Sequence, residues 1–242
     1  MGYDAILAVV AFAAGAIATV AGFGIGSVLT PVLALHAGTK IAVAAVSIPH
    51  LLGTALRFWM LRRFIDWKVL MSFGIASAFG GFIGALLHAR AGSLALTVLF
   101  GGLLVFAGLA GLTGFASGMR FGKPMAYIAG IASGAFGGLV GNQGGIRSAA
   151  MLGFPIPKES FVATATAIAL IVDAARIPIY VLTEGRRILE LWPVVTVAGV
   201  CVIAGTLSGE RILRRVPEAL FRRLVALLIL ALGLFELWRL RT

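Results

Sequence analysis

The chain has 242 residues, 60% of them hydrophobic and only 12% charged, with a mean hydropathy of +1.06. Soluble domains run at about 45–50% apolar and about 25% charged, so the composition excludes a soluble globular protein and describes a polytopic membrane protein. The net charge of +11 does not point to nucleic acid, because the basic residues cluster between apolar runs, where a positive-inside bias places them.

Apolar segments fall at about 3–21, 23–38, 40–61, 67–88, 93–116, 124–141, 145–156, 159–183, 190–210 and 218–238. Crossing about 30 Å of hydrocarbon takes roughly 20 helical residues. Most segments meet that length, whereas 145–156 is short and 23–38 is marginal and holds Pro31. The first segment opens with Tyr3 and Asp4 rather than a positive region, so it is expected to stay in the mature protein. Trp59, Trp67, Trp192 and Trp238 sit near segment ends, as an aromatic belt would. Cys201 is alone, and His36, His50 and His88 are scattered without metal-ligand spacing, so neither a metal nor another cofactor is expected.

The two short segments directly follow Gly22 and Gly141. Half-helices or the second arms of re-entrant hairpins are expected there, and the chain does not distinguish hairpins at 3–38 and 124–156 from full crossings. The second break is the more informative. Within 133–154, SGAFGGLVGNQGGIRSAAMLGF, an otherwise apolar stretch carries Asn142, Gln143 and Arg147 among glycines. Unpaired polar groups at membrane depth cost several kcal/mol each, roughly, so these side chains must meet a partner or a ligand. Glycines at such a point let the main chain turn sharply and be approached closely.

Subtracting 119 maps Gly134 to Gly15, Gly141 to Gly22, Gly145 to Gly26 and Arg176 to Arg57. Beyond residue 189 an offset of 125 pairs Trp192 with Trp67, Gly205 with Gly80, Gly209 with Gly84 and Arg215 with Arg90. We read two homologous halves, 1–118 and 119–242. Five segments in each make the halves inverted, the plan of many secondary transporters. The expected fold is therefore all-α, ten membrane segments in two inverted five-segment repeats. With the N-terminus outside, eleven basic residues, Arg62, Arg63, Lys68 and Arg120 among them, fall on inner loops against six outside. Both termini are then expected outside.

The Gly-rich openings AGFGIGSVLTPVLAL (21–35) and VGNQGGIRSAAMLGF (140–154), with the length and segment pattern of nearly the whole chain, resemble the TauE/SafE sulfite exporter family. That resemblance implies a bacterial inner-membrane carrier of sulfite or an organosulfonate such as sulfoacetate. Asn142-Gln143 stand where the first half has Phe23-Gly24, so the halves cannot contribute equivalent groups.

On this reading the site is a small-anion site. Helix starts at Gly22 to Ser27 and Gly141 to Ser148 would offer free N–H groups and positive partial charge from two sides. Arg147 adds a forked, permanently charged donor, and Asn142, Gln143 and Ser27 add neutral ones, with Gly26 and Gly145 allowing close approach. Arg57 and Arg176 are expected at the two mouths of the path; the plainer alternative is that Arg57 reaches to the surface beside Arg62 and Arg63. Asp173 is the candidate for holding Arg176 or Arg147 and for coupling transport to protons. Gly80 with Gly84 and Gly205 with Gly209 form GxxxG pairs and are assigned to packing. The alternatives are another small anion or organic acid on the same scaffold, and a membrane-embedded enzyme. The enzyme is disfavoured because His50 shows no matching dyad in the sequence. GFGIGS is not a dinucleotide loop, since no strand precedes it and no acid follows at the required distance.

Overall fold

The computed structural model describes residues 2–114, 123–142, 144–151, 154, 156–213 and 217–241. The expected half boundary at 118/119, together with Gln143, Arg120, Arg214 and Arg215, lies outside them. The described chain is all helical: α1 (Tyr3–Ala21), α2 (Ile25–Leu61), a 3₁₀ turn (Arg62–Phe64), α3 (Trp67–Val69), a π turn (Leu70–Gly74), α4 (Ile75–Arg90), α5 (Ser93–Thr113), α6 (Lys123–Val140), α7 (Gly144–Met151), α8 (Lys158–Glu190), α9 (Trp192–Leu213) and α10 (Glu218–Trp238). Six of these stretches among the described residues are long and apolar enough to cross a membrane, so the chain is a multi-pass membrane protein. The ten expected segments do not all reach that length: α7 has only 8 residues. The stretches expected as 23–38 and 40–61 are two helical pieces, carried here together as α2, that meet at Gly38, whose backbone at φ 74°, ψ 157° is not helical.

Each helix break has a local cause. Gly22 ends α1 at φ 76°, and its N–H returns to the Ala18 carbonyl at 3.0 Å. Gly141 ends α6 at φ 73° with its N–H on Gly137 O, also at 3.0 Å. Left-handed backbone of this kind closes a helix with a glycine, because any Cβ there is strained. Asp66 starts α3, its carboxylate accepting from the N–H groups of Lys68 and Val69, and its own N–H donates to Thr164 Oγ1 of α8 at 2.9 Å.

Between helices, the tightest packing is backbone on backbone. A Cβ on Gly134 of α6 would lie 1.9 Å from Ser77 O of α4, and one on Gly80 would lie 2.1 Å from Ile131 O. In the other pair, a Cβ on Gly15 of α1 would lie 2.3 Å from Val202 O of α9, and one on Gly205 2.0 Å from Phe12 O. The glycines of the GxxxG pairs thus do pack helices, as expected for membrane interfaces, where close approach replaces the hydrophobic drive between helices. Gly134→Val should therefore destabilise the protein by about 1–3 kcal/mol or more through overpacking, read as a lowered melting temperature. Gly102→Ala is the control, since nothing lies within 4 Å of a Cβ there; equal melting temperatures for the two variants would refute this packing.

At one end of the bundle the Tyr3 and His36 rings stack at 3.7 Å, and Arg239 Nη2 donates to Ala34 O at 3.3 Å. The start of α1 and the end of α10 therefore share an end. Lys40 joins the same end, bonding Ala89 O at 2.9 Å and Glu184 at 3.3 Å.

Candidate functional site

The two glycine breaks meet in the interior. A Cβ on Gly26 would lie 2.5 Å from Gly141 O, and one on Gly144 would lie 2.4 Å from Phe23 Cβ. Only hydrogen at those α-carbons lets the starts of α2 and α7 face each other so closely. Between them lies a small polar pocket lined by Phe23, Gly24, Gly26, Ser27, His50, Gly141, Asn142, Gly144 and Arg147.

The polar groups of this pocket are unusual for membrane depth. Arg147 is 2% exposed, yet among the described residues its one hydrogen bond runs from Nη2 to Gly22 O at 3.3 Å. Its Nε and Nη1 are buried without a partner among the described residues. An unmatched buried donor on a charged group is costly, and a partner with spare lone pairs at those two atoms would remove that cost. Asn142 is also buried; its Oδ1 accepts from Ser27 Oγ at 3.2 Å, which leaves the amide Nδ2 as a second donor. The free N–H groups of the first turns of α2 and α7 complete a lining rich in donors.

Of the residues anticipated from the sequence, Arg147, Asn142, Gly141, Gly26 and Ser27 gather at this pocket. Gly22 holds Arg147 through its carbonyl, and Gly145 falls in the first turn of α7. Arg57 and Arg176 do not stand at mouths, and Arg57 does not reach the surface: each is 2% exposed, and neither lines the pocket. Arg57 donates from Nη1 to Ala18 O and from Nη2 to Thr54 Oγ1 at 3.3 Å. Arg176 donates from Nη1 to Gly137 O at 2.7 Å. Ala18 and Gly137 carry the carbonyls that already close the two glycine caps. The physical reason is that each capped carbonyl keeps a second lone pair, and a guanidinium from a neighbouring helix takes it.

Asp173 is fully buried and shared. Its Oδ1 accepts from Arg176 Nε at 2.9 Å and faces Nη2 at 2.7 Å. Its Oδ2 lies 2.6 Å from His50 Nδ1. The aspartate thus holds Arg176 rather than Arg147, and His50 does have an acidic partner, which sequence reasoning missed. The only signal in the chain was a histidine two turns before Arg57 inside an apolar run. Around the breaks, three guanidinium groups face one carboxylate, so the region carries surplus positive charge where water is scarce and attraction for an anion is strong. Among the described residues no cluster of His, Cys, Asp and Glu could hold a metal ion.

A family model described as Sulfite exporter TauE/SafE matches residues 7–235 of the chain. No curated protein and no solved structure matches it.

Proposed function

Because the chain belongs to the TauE/SafE sulfite exporter family, whose members are membrane transporters, we propose that it carries a small sulfur oxyanion, sulfite or an organosulfonate such as sulfoacetate, held between the starts of α2 and α7. The observation that carries this reading is Arg147, buried with Nε and Nη1 unpartnered beside the pocket. Sulfite and sulfonates present several charged oxygens on one sulfur, and a guanidinium fork with neighbouring N–H groups matches that shape. Asn142 binds alongside through its amide N–H, held in place by the Ser27 hydroxyl, as does Gln143 on the sequence reading. Gly22, Gly26, Gly141 and Gly145 keep the cradle open, and Arg57 and Arg176 act by pinning the two breaks. Asp173 is the fixed counter-charge through which proton coupling would run.

Transport by alternating access is supported by the way the halves correspond. Arg57 clamps Ala18 O and Arg176 clamps Gly137 O, partners separated by the same offset of 119. The backbone pairing of Gly15 with Val202 likewise answers that of Gly134 with Ser77. Such correspondence favours two inverted repeats rocking about a central site. The excess of basic residues on one set of loops favours both termini outside a bacterial inner membrane.

The test is a melting-temperature panel on purified protein with sulfite, sulfoacetate, sulfate, acetate, taurine and chloride. A ligand at 100 times its Kd stabilises the folded state by about 2.7 kcal/mol, which for a chain of this size is a rise of about 5–10 °C. A selective rise with sulfite or sulfoacetate is the expected result. A rise with acetate alone would transfer the site to an organic acid, and a flat panel would end the anion reading.

A further inference from the structure

His50 is the one ionisable lining residue whose state depends on what fills the pocket. Its Nδ1 faces a carboxylate oxygen of Asp173 at 2.6 Å. An ionised carboxylate only accepts, so Nδ1 must carry the hydrogen. A neutral ring then offers only a lone pair at Nε2, the nitrogen left uncommitted. Of the other polar side chains at the pocket, Arg147 offers donors through Nε and Nη1 and Asn142 through Nδ2, the Ser27 hydroxyl having given its hydrogen to the Asn142 oxygen. A fully ionised oxyanion brings acceptors alone. Against such a ligand a neutral His50 sets acceptor against acceptor, whereas a protonated His50 sets a charged donor between the anion and Asp173.

The charged groups around the ring are Asp173 and Arg176 from α8, Arg147 from α7 and Arg57 farther along α2. From α1 and α9 this stretch of α2 meets neutral groups, the Ala18 carbonyl and the side chains of Val202 and Thr206. Asp173 is held on its other oxygen by Arg176, so it stays in place as a counter-charge whichever state His50 adopts.

We propose that His50 is the proton site of the carrier, taking one proton at Nε2 as the anion binds, so that anion and proton cross together. This rests on the anion reading above. The proton comes from water on the side from which the anion enters, and it leaves from Nε2 with the anion on the other side. Since coupling between two ligands is reciprocal, the anion strengthens proton binding and the proton strengthens anion binding by the same factor.

Calorimetry of sulfite and sulfoacetate binding, in buffers of differing ionisation enthalpy, counts protons taken up per anion. The buffers are made alkaline enough that both anions arrive without a proton. The expected result is close to one proton taken up by the native protein and none by His50→Gln, which still binds the anion more weakly. In liposomes, an inward proton gradient should drive anion accumulation by the native protein and not by that variant. Anion binding by the native protein without proton uptake would overturn this proposal and leave the anion site standing, even if His50→Gln did not fold. Absence of any anion binding would overturn both.

Discussion

Arg147→Gln should weaken anion binding by about 10- to 150-fold while leaving the melting temperature of the empty protein unchanged or slightly raised. The first half of that expectation comes from the two free donors. A hydrogen bond to a charged group contributes about 1.5–3 kcal/mol, and every 1.4 kcal/mol is a factor of ten in Kd. The second half comes from what the protein itself gives Arg147, a single 3.3 Å bond to Gly22 O. A buried charge with so little compensation contributes nothing to stability, and removing it relieves a desolvation cost. A structural arginine behaves in the opposite way, because its loss lowers the melting temperature and leaves any ligand response intact. Titration of sulfite and sulfoacetate against both proteins decides the matter: affinity within twofold of the native value would remove Arg147 from the site.

Asp173→Ala should cost about 3–5 kcal/mol of stability, the usual consequence of leaving a buried charge without its partner. Arg176 would lose two contacts under 3 Å at once, and His50 would lose the acceptor for Nδ1. Thr54 is the control: it precedes Arg57 by three residues, as Asp173 precedes Arg176, and gives Arg57 a neutral bond at 3.3 Å, so Thr54→Ala should cost only about 1 kcal/mol. Unfolding of the two variants followed side by side should separate them by several degrees. Equal losses would mean that Arg176 gains its stability elsewhere.

How far the sequence speaks differs from one part of this site to another. The helix breaks at Gly22 and Gly141 were legible because a glycine followed by short apolar or polar stretches has few other uses in a membrane segment, and both residues do adopt the left-handed backbone that ends a helix. Arg147 was legible for a related reason: an arginine so deep among glycines has no neighbour in the chain that could satisfy it. The roles of Arg57 and Arg176 were not. Sequence shows that such residues must find partners, but not that the partners are the carbonyls of Ala18 and Gly137, since main-chain acceptors leave no mark in composition. The His50–Asp173 pair was hidden by distance, its members lying 123 positions apart, and Ala169, 119 positions after His50, gave no second histidine to draw notice to the first. The division between 23–38 and 40–61 was legible too, since Gly38 takes a non-helical backbone there.

The pairing of α1 with α9 bears on how the chain is made. Thr19 of α1 donates to the carbonyl of Thr206, which lies 187 residues later, and Gly15 and Gly205 belong to the same contact. At a synthesis rate of about 5–20 residues per second, α1 waits in the bilayer for roughly ten to forty seconds before its partner exists. Throughout that interval its glycine groove faces lipid, and until residue 144 is made the first break has no second break to meet. The chain's earliest span thus gains its α9 partner only near the end of translation.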